Sequence, residues 1–133
     1  MYIENLFILA NQRWRLKDDQ TLENYEGITE GSPTWSMPEA TWKFRFVKEN
    51  EFKIENTVTG KFIHAAQEQE GAAVIIDSDV EQTTFKKESE DTLGYFNLVL
   101  ESDPNLVLTA SSTNTLTLEG LYNTYRHLFH KKS

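Results

Sequence analysis

One short phrase recurs along this chain at nearly even spacing. "TWKF" covers Thr41–Phe44, "TFKK" covers Thr84–Lys87 and "TYRH" covers Thr124–His127. Each reads threonine, aromatic, basic, with the aromatics at Trp42, Phe85 and Tyr125. A second phrase recurs in step with the first: "FILAN" starts at Phe7, "FKIEN" at Phe52 and "FNLVL" at Phe96. Two independent phrases with one spacing imply a short unit, roughly forty-odd positions long, present three times. Few folds are built from three copies of so short a unit.

Alternation of apolar and polar residues marks strands half-buried on one face. The second unit has Phe52/Ile54, the turn "NTVTG", Phe62/Ile63, the turn "QEQEG", Val74–Ile76 and Phe85. The third has Phe96/Leu98, "SDPN", Leu106–Leu108, "SSTN", Leu116/Leu118 and Tyr125. The first has Phe7/Leu9 and Trp14/Leu16, then a longer polar stretch before Trp35/Met37 and Trp42. Turn-forming residues stand where strands should stop, and no segment carries a capped helical stripe. The expectation is all-β, with four short strands per unit and twelve in all. Three units are too few to close a propeller, which needs about four blades. A six-stranded barrel capped by three hairpins closes with twelve strands, and that architecture is the β-trefoil. The expected arrangement is one domain over 1–133, with repeats at about 1–47, 48–91 and 92–133 and pseudo-three-fold symmetry.

A length of 133 residues with eight Phe, five Tyr and three Trp supplies a core for such a domain. The absence of cysteine excludes disulfides and thiolate metal sites. A formal charge of −8 opposes approach to nucleic acid phosphates. The opening "MYIENLFILA" has no basic leader and no run is long enough for a membrane span. A cytoplasmic protein is therefore expected, with unconventional secretion left open.

The stretch "FKIENTVTGKFIHAA…GAAVIID…EQTTF" resembles one repeat of the ricin-type β-trefoil lectins. Those repeats run aromatic-x-Ile-x-Asn, a Gly-containing turn, an aliphatic strand, a Gly-x-x-Val strand and Gln-x-Trp. Here Phe85 stands for the Trp and Gln82 falls one place early. Fascin-like trefoils resemble Phe62–Ala65 and Val107–Ala110 about as well. Trefoils also serve as growth factors, cytokines and protease inhibitors.

The resemblance implies a sugar pocket on the cap hairpin of a repeat. An Asp after the second strand accepts from sugar hydroxyls through charge-assisted bonds. An aromatic on the third strand covers the apolar face of the ring. Carried over, these positions fall on His64 and near Asp77 in the second repeat, and on Thr109 and Glu119 in the third, so neither keeps the pattern. In the first repeat Asp18 and Asp19 follow the second strand, Trp35 is placed on the third, and Tyr25 lies in the long connection 20–34. Asp18, Asp19, Tyr25 and Trp35 are therefore the candidate sugar-binding residues. Each also has a plainer reading, with the two aspartates forming a turn and Trp35 packing the cap.

No nucleophile motif, phosphate loop or metal-ligand spacing stands out, so no catalytic residue, metal or cofactor is expected. The reading is a non-enzymatic carbohydrate-binding protein whose partner is a glycan or glycoprotein. The alternative is a protein-binding trefoil, a protease inhibitor or fascin-like actin binder, acting through the connection at 20–34. Under either reading the far-UV circular dichroism spectrum should lack substantial helix; a strong helical signal would refute the trefoil.

Overall fold

In most of these short segments an apolar side chain turned inward accounts for the pairing. The structure, a computed structural model, describes residues 6–9, 14–17, 22–24, 38–77, 83–88, 96–112, 115–120 and 130–132. Among these lie twelve strands and one 3-10 turn, Pro38–Ala40. The first four strands are β1 (Leu6–Leu9), β2 (Trp14–Leu16), β3 (Leu22–Asn24) and β4 (Thr41–Lys48). The next four are β5 (Glu51–Asn56), β6 (Phe62–Ala65), β7 (Val74–Asp77) and β8 (Phe85–Glu88). The last four are β9 (Asn97–Leu100), β10 (Leu106–Ser112), β11 (Thr115–Gly120) and β12 (His130–Lys132).

The first and fourth strands of each group neighbour one another in the order β9-β8-β5-β4-β1-β12, every pair antiparallel. The middle pairs β2–β3, β6–β7 and β10–β11 form three hairpins. This is the β-trefoil: three repeats of four strands, each giving two to the barrel and two to the cap.

Strand β5 alternates strictly, with Phe52, Ile54 and Asn56 buried and the residues between them half-exposed. Trp42 and Phe44 of β4 face the same interior, and Phe85 and Phe96 complete it with no measurable exposure. Phe44 stacks on Phe52 with centroids 4.2 Å apart and planes 9° from parallel. Phe96 meets Phe44 edge-on with centroids 6.2 Å apart. Aromatic quadrupoles favour that approach. The recurrent aromatics are thus barrel residues, while Lys43 and Lys86 sit on half-exposed positions beside them. The third copy of the phrase, at 124–127, lies outside the described residues.

The Asn of "FKIEN" also has a structural role. Asn56 Oδ1 accepts from the backbone N–H of Val58 and Thr59 at 2.9 and 3.1 Å. Its Nδ2 donates to the carbonyl of Glu39 at 3.1 Å, tying the β5–β6 turn to the 3-10 turn before β4. Gly60 takes a φ of 73° in this turn, a conformation easy for glycine and strained for most side chains. The β4–β5 hairpin turns through Asn50 at a φ of 58°, and Asn50 Nδ2 holds the carbonyl of Lys87 on β8 at 3.0 Å.

Two strand placements differ from the sequence expectation. The strand that pairs with β2 is Leu22–Asn24, inside the stretch read as a loop, while the expectation of a strand around Trp35 falls outside the described residues. The twelfth strand is His130–Lys132, beyond Tyr125. Both are three-residue strands held by backbone pairing, too short for alternation to register. Truncation of Phe52 to alanine should cost about 3–5 kcal/mol, because it removes a ring stacked inside the barrel. Urea unfolding of Phe52→Ala measures this directly; a loss below about 1 kcal/mol would show that the stack does not anchor the barrel.

Candidate functional site

The cap hairpins are where the family resemblance places a pocket, so their outer faces come first. In the second repeat Phe62 lies opposite Asp77 and His64 opposite Ile75. Opposed residues of an antiparallel pair share a face. These four are half-buried on the outer side, while Ile63, Ala65 and Val74 enter the core. In the third repeat Thr109 lies opposite Thr117, and Val107 opposite Glu119. Thr109 is buried and its hydroxyl donates to the carbonyl of Val107 at 2.9 Å. Thr117 Oγ1 donates to Glu119 Oε2 at 2.7 Å, so that carboxylate already has a protein partner. The third hairpin thus offers no aspartate-like acceptor at the expected place.

In the first repeat Trp14 pairs with Asn24, Arg15 with Glu23 and Leu16 with Leu22. Leu16 and Leu22 are fully buried, and Leu16 O accepts from the indole N–H of Trp42 at 3.1 Å, which locks this hairpin to the barrel. Asp18 and Asp19 fall in sequence between β2 and β3. Tyr25 follows β3 directly, and Trp35 stands between β3 and the 3-10 turn. All four lie outside the described residues, as does 25–34 of the long connection. The strand that pairs with β2 is β3, and the expectation that Trp35 lies on a third strand falls on a residue outside the described ones.

Among the described residues the structure shows a cleft that no spacing in the sequence indicated. It encloses about 390 Å³, open to solvent, at the junction of the second and third repeats. His64 from the end of β6, Glu68 from the following loop, Thr83 and Thr84 before β8, and Glu101 and Ser102 after β9 line it. Thr83 organises one wall: its Oγ1 accepts from Ala65 N at 2.8 Å and meets His64 Nδ1 at 3.1 Å. The direction of the Thr83–His64 bond follows the imidazole tautomer. Thr84 Oγ1 accepts from Lys53 Nζ at 3.1 Å, and Thr84 O accepts from Glu101 N at 3.0 Å. Ser102 Oγ donates to Glu68 Oε1 across the cleft. Sequence inspection singles out only His64. The others come from two repeats and three connecting segments, which no local motif unites.

The two caps flanking this junction are joined by backbone hydrogen bonds. Gly71 N donates to Leu118 O at 2.6 Å and Leu118 N donates to Ala72 O at 3.0 Å. Among the described residues no group of three potential metal ligands converges, and no helix is long and apolar enough to cross a membrane.

No protein-family model matches the chain, and no curated protein matches it significantly in sequence. Solved structures do match in fold. The Rhizoctonia solani agglutinin superposes with a TM-score of 0.74 at 11% identity, over 100% of this chain and 98% of its own. A Macrolepiota procera ricin B-like lectin, solved in complex with lactose, gives 0.72 at 9% identity over 100% and 99% of the two chains. ThreeFoil, a designed three-fold symmetric protein, gives 0.73 at 11% identity over 97% and 99%. The chain therefore shares the β-trefoil fold of these structures.

Removing the Thr83 hydroxyl strands the N–H of Ala65, which costs about 1–3 kcal/mol. Thr83→Val should lower the urea midpoint accordingly and Thr83→Ser should restore it. Equal midpoints for Thr83→Val and the parent chain would remove Thr83 as the organiser of this wall.

Proposed function

We propose that this protein binds carbohydrate without transforming it, as a β-trefoil lectin. The observation that carries the reading is the end-to-end match to an agglutinin and a ricin B-like lectin, both of them covered almost entirely by a chain of the same size. A fold by itself leaves function open, and the residues supply the second support. The hairpin positions in repeats two and three hold His64 and a buried Thr109, whereas the first repeat has acidic residues between β2 and β3 in sequence and aromatic residues in the stretch that follows β3. Asp18 and Asp19 in the β2–β3 connection would accept from paired sugar hydroxyls. Tyr25 and Trp35, from the connection that follows β3, would cover the apolar face of the ring.

A glycan array tests the reading. The parent chain should retain a defined set of glycans, and Trp35→Ala should weaken them by about tenfold or more, the size of one lost aromatic platform. Asp18→Asn with Asp19→Asn should do the same while leaving the circular dichroism spectrum unchanged. An array with no glycan retained, or retention indifferent to all three changes, would remove the lectin assignment in favour of a protein-binding trefoil.

A further inference from the structure

We infer that the outer face of β4, β5 and β8, with the acidic loop edge beside it, is a contact surface for a second copy of this chain turned by half a turn. The inference stands apart from the carbohydrate reading and uses none of its candidate residues.

Charge is sorted along the fold. The six barrel strands carry eight Lys or Arg and three Glu, in a chain with 13 basic and 21 acidic residues. The barrel strands thus hold a surplus of positive charge in a molecule of net charge −8. Trp42, Phe44, Phe52 and Ile54 turn inward, which puts Lys43, Arg45 and Lys53 on the outer face. Arg45 lies directly opposite Lys53. Like charges facing each other across a ladder weaken it, so this pair does not serve the barrel. A local rule broken without gain to the fold points to a use elsewhere. Glu55 pairs with Arg45 and offsets part of the charge, while Lys86 on β8 adds to it.

The row then changes sign. Lys53 Nζ donates to Thr84 Oγ1 at 3.1 Å, Glu101 N donates to Thr84 O at 3.0 Å, and Ser102 Oγ donates to Glu68. Arg45, Lys53, Thr84 and Glu101 therefore follow one another along the line β4-β5-β8-β9, a span of about 14 Å at the usual strand spacing. Glu68, Glu70 and Glu101 are exposed at the acidic end, and among the described residues no Lys or Arg lines the cleft there. The Debye length is about 8 Å at physiological salt, shorter than this row. An approaching copy meets the two halves separately, and not the net charge of the molecule.

A face with opposite charges side by side is complementary to itself about a two-fold axis, since each basic half meets an acidic half and every contact occurs twice. A purely anionic or purely cationic partner would match one half and be repelled by the other. Each exposed ion pair contributes little, so the pairing is weak, with a dissociation constant of about 1 μM or above.

Sedimentation velocity of the whole chain over a concentration series tests this. In about 0.1 M NaCl the chain should approach a two-chain species and stop there. In about 1 M NaCl the Debye length falls to about 3 Å, and the dissociation constant should rise about tenfold or more. Arg45→Glu with Lys53→Glu should leave a single chain, and so should Glu68→Lys with Glu101→Lys. Mixed in equal amounts, the two variants should form a two-chain species again, because every contact then joins opposite charges. That rescue also excludes misfolding as the reason either variant stays single. A parent chain that is single at every concentration, association unmoved by salt, growth beyond two chains, or variants that stay single when mixed would overturn the two-fold contact. A single parent chain retained on a polyphosphate resin through Arg45 and Lys53 would give the basic half to an anionic partner and overturn it too. Retention on the glycan array does not enter, so this inference and the carbohydrate reading fail separately.

Discussion

The face-to-face stack of Phe44 on Phe52, with Phe96 edge-on against it, is the contact on which the remaining geometry depends. Each ring is worth about 1.5–3 kcal/mol in burial, and each well-placed pair about 0.5–1.5 kcal/mol more. The larger consequence is directional. Once Trp42, Phe44, Phe52 and Ile54 turn inward, Lys43, Arg45, Lys53 and Glu55 turn outward, because strand side chains alternate. A register slip of one residue would exchange the two sets. The barrel register in turn determines where each cap hairpin begins, and the indole N–H of Trp42 on Leu16 O passes that register to the first cap.

The features legible in the sequence are those written in side chains that repeat. The three-fold period, the inward aromatics at Trp42 and Phe85, and the strands at Phe52–Asn56 and Val74–Asp77 all follow from apolar residues at regular spacing. The misplaced elements lack that signal. In Leu22–Asn24 a single apolar residue enters the core, too little for alternation to register. His130–Lys132 contains no apolar residue, so its membership in the barrel is a matter of backbone pairing to β1. The Asn of the repeated phrase reads as a family mark, and its reason lies in Asn56 capping a turn and reaching Glu39 O, contacts invisible in one dimension. The cleft is the least legible. Glu68 and Ser102 are 34 residues apart, and their pairing depends on how two repeats abut.

Divergence among the repeats has a physical pattern. The second and third caps are joined through Gly71, Ala72 and Leu118, and Thr109 is buried with its hydroxyl given to a main-chain carbonyl. The backbone bonds at Gly71, Ala72 and Leu118 hold these two caps together, while the Thr109 hydroxyl bonds within its own strand. The first cap is tied to the barrel through Leu16. Asymmetry in a three-fold frame thus arises from which neighbour each cap leans on.

The pairing of β12 with β1 has a mechanical consequence. Phe7 lies opposite Lys132 and Leu9 opposite His130, so the outer ends of the first and last strands emerge side by side. Tension applied to those two ends would load the hydrogen bonds of this seam one after another, as a zipper is opened, and not all together in shear. The domain would then peel open at low force along a short seam, however firmly the aromatic plug resists heat or denaturant.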